Sequence, residues 1–292
     1  MQRKIMTTIG SKNIYNIAIK GTFDDCQKIV KEMFSENTFR EKINMSGVNS
    51  INWARIVCQI VYYFYSAFKF QNNKVNFSVP TGNFGDVYAG YVAKKMGLPI
   101  EKLIVATNEN DILQRVINLG EYKPSKVKPS LSPSMDVQIS SNFERLLFDV
   151  LENDDKQVSN LMSKLSKEGS FKLDKEQMNI IKKDFYSKKI SDKETLEIIK
   201  NFSEKHNFIL DPHTATAVGA SKEIKNDFET LILATAHPYK FLETIKMATS
   251  KKVDVPKQIS NILGKEEKYD ILENKTLEIK NYILGKIAWK LK

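Results

Sequence analysis

Val75, Phe77 and Val79 alternate with polar Asn76 and Ser78. The run breaks at Pro80-Thr81-Gly82-Asn83-Phe84-Gly85, after which Asp86 to Met96 takes up a helical pattern closed by Gly97. Leu103 to Thr107 is apolar again and reads as a second strand. Strand, glycine-containing turn, helix and strand within about 35 residues form a βαβ unit, whose two strands lie parallel in one sheet. A parallel sheet is covered on both faces, so this stretch predicts an α/β fold with an open, mostly parallel sheet and flanking helices.

The flanks supply further elements. Ile14 to Ile19 reads as a strand, and Thr22-Phe23-Asp24-Asp25 has capping-box-like spacing before Cys26, Ile29, Val30, Met33 and Phe34 recur at helical intervals. The helix expected from about Ser50 to Phe68 is apolar nearly all round (Ile51, Trp53, Ile56, Val57, Ile60, Val61), which predicts burial on several sides. Strand character returns at Thr230 to Thr235, followed by Ala236-His237-Pro238 and a helix to about Met247. Between them, residues 142–205 carry lysine- and glutamate-rich helical patterns without a strand, which predicts a helical insert. The expected organisation is an α/β domain built from 1–141 and 206–250, the 142–205 insert, and a 251–292 tail packed on the domain.

Composition narrows the function. With 292 residues, 41% of them apolar, the chain can bury a sizeable core, and it has no run of about 18 apolar residues and no apolar stretch near Met1. A cytoplasmic protein without membrane contact is expected. Cys26 and Cys58 fall at apolar helix positions and read as small core side chains, and three histidines are too few to suggest a metal cluster, so no metal is expected. The net charge of +10 is scattered and not interleaved with aromatics, which points to a solvated surface and no nucleic-acid partner. Only five of the 45 basic residues are arginine (Arg3, Arg40, Arg55, Arg115, Arg145), so each is a candidate fork for phosphate or carboxylate.

The turn from Thr81 to Asp86 ends a strand and opens a helix, so its peptide N–H groups and the helix dipole converge on an anion, and a phosphate fits there. Gly82 and Gly85 let the backbone approach closely. An ordinary βα turn has the same spacing, and neither a Walker loop nor a dinucleotide fingerprint is present. At the second strand end, the Thr235 hydroxyl either bonds a ring nitrogen or caps the following helix. Asp211-Pro212-His213-Thr214 is open in the same way, because Asp-Pro favours a turn after which a helix can start, and a structural histidine is the expected reading of His213.

Seven segments carry a family resemblance. They are Gly21-Thr22-Phe23-Asp24-Asp25-Cys26-Gln27, Asn49-Ser50-Ile51-Asn52-Trp53-Ala54-Arg55, Pro80-Thr81-Gly82-Asn83-Phe84-Gly85-Asp86, Ser132-Pro133-Ser134-Met135-Asp136, Ser140-Ser141-Asn142-Phe143-Glu144-Arg145, Asp211-Pro212-His213-Thr214 and Thr235-Ala236-His237-Pro238. In this order they resemble the motifs of threonine synthases, over about Met6 to Phe241. The resemblance implies a fold type II enzyme that uses pyridoxal 5'-phosphate to convert O-phosphohomoserine and water to threonine and phosphate. It implies that Gly82, Asn83, Phe84, Gly85 and Asp86 form the cofactor-phosphate loop and that Thr235 faces the pyridine nitrogen. It also implies that Asn49, Ser50, Asn52 and Arg55 lie near the substrate, with Arg55 on its phosphate or carboxylate.

Asp86 sits awkwardly there, because a carboxylate repels phosphate unless it turns away or is hydrogen-bonded. The family's Schiff-base lysine lies in a Ser-Phe-Lys-Asp-like motif upstream of the segment with which this chain begins, together with the first sheet elements and a smaller N-terminal domain. Lys4, Lys20 and Lys74 have other surroundings, so no catalytic residue is assigned within the chain. The resemblance therefore implies an N-terminal portion as the missing complement. The alternative is a non-catalytic domain that binds a phosphate-bearing ligand and pairs with a separate N-terminal chain.

Overall fold

A computed structural model describes residues 2–21, 23–48, 52–70, 74–262 and 264–288. These fall into two compact units, Met1–Gly47 with Val255–Lys292, and Val48–Asp254. The strands in chain order are β1 (Ile17–Ile19), β2 (Val75–Pro80), β3 (Ile100–Thr107), β4 (Glu121–Tyr122), β5 (Phe171–Lys172), β6 (Phe185–Lys189), β7 (Thr230–Ile232) and β8 (Asp270–Leu272).

The unit Val48–Asp254 is built on a four-stranded sheet of order β6-β3-β2-β7, in which every neighbouring pair is parallel. All six residues of β2 are buried, as expected of a central strand covered on both faces. Its alternation sorts the faces. Val75, Phe77 and Val79 join Leu103 and Val105 in one core with the helices Trp53–Ala67, Gly85–Lys95 and Phe143–Val150. On the other face the Ser78 hydroxyl donates to the Ala217 carbonyl at 2.7 Å, and Ile104 and Ala106 pack with Ala215, Ala217 and Ala220 of the helix Pro212–Ser221. Small side chains let that helix lie close against the sheet, and at Gly219 a Cβ would meet Ile198 Cδ1 at 2.7 Å.

Segment 142–205 differs from the expectation. Its helices are present, but Phe185–Lys189 is a strand of the main sheet, with Leu103 opposite Phe185 and Thr107 opposite Lys189. Phe185 is buried, and the buried Ser187 hydroxyl donates to Val105 O at 2.8 Å. The strand follows the helix ending at Asp184 without a turn residue, and its Lys188 and Lys189 suit a sheet edge, so no apolar alternation marks it. A wholly helical insert is therefore corrected to helices flanking an edge strand.

The tail also differs, because β8 pairs in parallel with β1, Ile17 opposite Asp270, and Val255–Lys292 forms a unit with Met1–Gly47. In that unit Ile29, Met33, Phe39 and Ile279 make a small core. The apolar run expected over 50–68 resolves into a helix, Trp53–Ala67, with one buried face of Ile56, Ile60, Tyr63 and Ala67. Val57, Val61, Tyr62 and Tyr65 are exposed, so burial on several sides is not what this chain provides. Cys58 on the same helix is exposed and Cys26 half-buried, which corrects their reading as core side chains. Among the described residues no helix is long and apolar enough to cross a membrane.

Tyr63 keys the helix Trp53–Ala67 to the sheet. Its ring lies 4.7 Å from that of Phe77, and a Cβ built on Gly90 of the neighbouring helix would sit 2.4 Å from Tyr63 Cε1. Gly90→Ala is therefore expected to destabilise the fold by about 1–3 kcal/mol through overpacking. Urea denaturation checks this, and the penalty should shrink in a Tyr63→Ala background, where the clashing ring is gone.

Candidate active site

The carboxyl ends of β2 and β7 define the site. The two strands run parallel with Asn76 opposite Thr230 and Ser78 opposite Ile232, and Leu233 N–H donates to Ser78 O at 3.0 Å. β7 ends at Ile232, three residues before Thr235, and β2 ends at Pro80, next to the Thr81 turn. Both turns thus leave neighbouring strands at one edge, where open α/β sheets bind ligands.

The turn after β2 is held from behind. Ser140 Oγ donates to Gly82 O at 3.0 Å, and the backbone N–H and side-chain amide of Asn142 both donate to Asn83 O at 3.1 Å. Asn83 Oδ1 accepts from Gly85 N–H at 3.2 Å. With the carbonyls of Gly82 and Asn83 fixed, the helix Gly85–Lys95 begins at the strand end, and the N–H groups of Asp86 and Val87 have no acceptor within the helix. They point along the axis toward any anion placed there.

Two features of this turn depart from the sequence reading. Gly82 is glycine for packing: a Cβ would meet Ser134 O at 2.9 Å and Met135 Cα at 3.2 Å. The left-handed residue is Phe84, at φ 68° and ψ 4°, not a glycine. That conformation costs a side-chain-bearing residue about 1–2 kcal/mol. The ring is fully buried, edge-on to Phe143 at 5.4 Å and 5.5 Å from Phe185, and this anchorage holds the backbone there.

Asp86 opens the helix, and Tyr63 Oη donates to its carbonyl at 2.8 Å and approaches its Oδ1 at 3.2 Å. Burial pushes the Asp86 carboxyl up to about 6, against the opposing pull of the Tyr63 hydroxyl and the nearby Arg55 charge. The awkward carboxylate is therefore largely proton-bearing in mild acid and hydrogen-bonded to a neighbouring helix. Arg55 is exposed, its guanidinium donating to Val48 O at 3.0 Å. Asn52 caps its helix by accepting from Ala54 N–H at 3.0 Å. Asn49 and Ser50 lie outside the described residues, as does Thr22.

Sequence reasoning missed Tyr63, and it singled out Ser140, Asn142 and Arg145 without their role in positioning the loop. Arg145 donates to Asn142 Oδ1 at 3.0 Å and lies over the Trp53 ring at 5.5 Å, linking the loop's support to the helix that carries Arg55. Its rarity among the basic residues was the available signal.

Thr235 is exposed, and among the described residues its hydroxyl makes no hydrogen bond. His237, not Thr235, caps the following helical turn, accepting from Tyr239 N–H at 3.1 Å. A hollow of about 580 Å³ lies beside this turn and is bounded by Asn207, Asp211, Ala234, Ala236 and Lys251. Ala234 and Ala236 line it and Thr235 does not.

His213 is buried and structural. Its Nε2 accepts from Ser134 N–H at 3.2 Å, leaving Nδ1–H to face Asp211 Oδ1 at 3.3 Å, and its ring packs 4.9 Å from Phe241. Asp211 caps the helix Pro212–Ser221 through His213 N–H and Thr214 N–H. Burial works to raise its pKa, but the hydrogen bonds from His213 and Thr214 prevail and hold it below the ordinary carboxylate range. One histidine thus ties the Ser134 turn, against which Gly82 fits, to the turn that follows Thr235. Among the described residues no cluster of His, Cys, Asp and Glu could hold a metal ion.

A family model described as "Threonine synthase, C-terminal" matches residues 214–283. The chain is 42% identical to the threonine synthase of Pseudomonas aeruginosa over 288 residues and 43% identical to that of Saccharomyces cerevisiae over 320. It is similar to a crystal structure of a pyridoxal-phosphate-bound threonine synthase from Brucella melitensis, with a TM-score of 0.93 and 41% identity over 98% of this chain. This chain corresponds in sequence and fold to the C-terminal part of threonine synthases. The matches take in 97% and 99% of the chain but only 61% and 62% of the Pseudomonas and yeast enzymes. The threonine synthase from yeast has the same fold as well, at a TM-score of 0.89.

The Asp86 carboxyl gives a test of the loop's electrostatics. Its folded pKa lies above its ordinary 3.8, so burying the charge costs nothing below about pH 4 and costs fully above about pH 6. Stability relative to Asp86→Asn is expected to fall as pH rises through that window, by roughly 3 kcal/mol. Tyr63→Phe, which removes a donor to the ionised form, should move the upper end of the window higher. Denaturant midpoints of the three proteins from pH 3.5 to 8 check both.

Proposed function

We propose that this chain forms the cofactor-phosphate and ring-nitrogen side of a threonine synthase, the enzyme that converts O-phosphohomoserine and water to threonine and phosphate with pyridoxal 5'-phosphate. The observation that supports the reading is the parallel β2–β7 pairing, because the Thr81–Asp86 turn and the segment bearing Thr235 follow the same ends of these two strands. The residues suit that cofactor. A helix start with outward N–H groups accepts its phosphate, and a hydroxyl with no partner among the described residues stands one strand away for its ring.

When bound, pyridoxal phosphate supplies an electron sink that lets a carbanion form on the substrate so that the γ-phosphate can leave. The chain's own contribution is to bind and orient. The N–H groups of Asp86 and Val87 would hold the cofactor's phosphate, while the Asp86 carboxyl is engaged by the Tyr63 hydroxyl. Thr235 Oγ1 would donate to the ring nitrogen, and a hydroxyl is too weak an acid to transfer its proton there. Arg55, near the loop and exposed, meets the phosphate or carboxylate of the substrate, with Asn49, Ser50 and Asn52 beside it. The lysine that attaches the cofactor belongs to the portion of the family's enzymes that this chain does not span.

Addition of pyridoxal phosphate, borohydride reduction and mass-spectrometric mapping test the assignment, alongside a phosphate-release assay with O-phosphohomoserine. The expected result is reversible cofactor binding, no stoichiometric labelling of any lysine of this chain and no phosphate release by the chain alone. Thr235→Val should weaken cofactor binding about 3- to 10-fold, as for loss of one hydrogen bond. Stoichiometric labelling of one lysine, with turnover that disappears when it is replaced, would overturn the reading.

A further inference from the structure

We propose that the outward face of the helix Trp53–Ala67 is a docking surface for the part of the enzyme that the matched threonine synthases possess and this chain does not span. The inference rests on the functional reading above and gives the missing complement a place to bind. Beside the buried face of Ile56 and Tyr63, and with Ile60 at its margin, the side chains of Val57, Val61, Tyr65 and Phe68 continue onto Met96 and line a groove of about 530 Å³. Val61, Phe68 and Met96 are 61%, 64% and 62% exposed.

Charge makes this face unusual. Charged residues are 27% of the chain, yet Arg55 is the single one in this 15-residue helix. A helix with one face on a core and the other in water carries polar and charged residues outward, and a contiguous apolar patch marks a contact surface. A helix lying in a membrane interface would set lysine and arginine along its polar side, and here Arg55 stands alone, which favours a protein partner.

Two observations say which protein. The chain spans 61% and 62% of the Pseudomonas and yeast enzymes and carries the match to the family's C-terminal model, so the rest of their length lies on the N-terminal side. The same unit also leaves β7 with β2 on one side and, among the described residues, no strand on the other. An open sheet edge and an uncovered apolar helix in one unit are what an α/β domain shows where further elements add to it.

The test mixes the purified chain with the portion of the Pseudomonas aeruginosa threonine synthase that lies outside its match, and follows association by sedimentation velocity. Val57→Glu and Val61→Glu change exposed side chains, and unchanged circular dichroism and thermal midpoint confirm that the variants fold. The expected result is a one-to-one complex with the wild-type chain, weakened at least tenfold in either variant. Absence of a complex, or a complex indifferent to both substitutions, would overturn the proposal. So would self-association of the chain, or binding to phospholipid vesicles, that is lost in the variants while the one-to-one complex is unaffected. A complex that depends on Val61 but releases no phosphate from O-phosphohomoserine sinks the functional reading alone. A phosphate-releasing complex indifferent to Val61 sinks only the docking surface.

Discussion

Parallel pairing of β2 with β3 on one side and β7 on the other decides where each candidate ligand group can stand. Once Phe77 is level with Leu231 and Ser78 with Ile232, the chain leaves both strands at one edge. The loop after β3 comes to that edge too. Asn108, just past Thr107, donates through its amide to Ser130 at 2.7 Å and Asp136 at 2.7 Å, which fixes the Ser132–Asp136 turn against Gly82. A change of one residue in register would exchange the faces of β2, putting Ser78 into the aromatic core and Phe77 against the alanine helix.

Rigidity around the turn follows from that frame. Phe84 is held in a left-handed conformation by its burial between Phe143 and Phe185, and the peptide groups beside it are pinned by Ser140 and Asn142. Strain of this kind persists where surrounding packing over-determines it, and it spares a ligand the cost of ordering the loop. Tyr63 extends the same logic to the helix start, since one hydroxyl braces the Asp86 peptide while its ring fills the space that Gly90 leaves.

Much of this was legible in the sequence because β2 is central. Its uninterrupted burial shows as Val75, Phe77 and Val79, and the Pro80-Thr81-Gly82 break marks its end. A helix start after the Asp211-Pro212 turn and a structural role for His213 were legible, whereas the capping by Asp211 is seen in the structure. The edge strand Phe185–Lys189 was hidden, because lysines at a sheet edge erase the alternation that reveals a strand. Pairing of Ile17 with Asp270 joins opposite ends of the chain, and no local pattern encodes it. The helix Trp53–Ala67 was legible as apolar all round, but a pattern shows only that a face is suited to burial, not what buries it. Nor does sequence show that Gly82 answers to Ser134, or that His237 leaves the Thr235 hydroxyl without a capping role.

The central claim is that the Gly82–Val87 turn and Thr235 serve one ligand. Titration of the isotope-labelled chain with pyridoxal 5'-phosphate, followed by amide chemical shifts, tests it most directly. The account predicts that the amides of Asn83 to Val87 and of Thr235 shift together with one dissociation constant, while those of Asn207 to Leu210 across the hollow stay in place. Shifts confined to the hollow, or a Thr235 amide that does not move when the turn saturates, would contradict it.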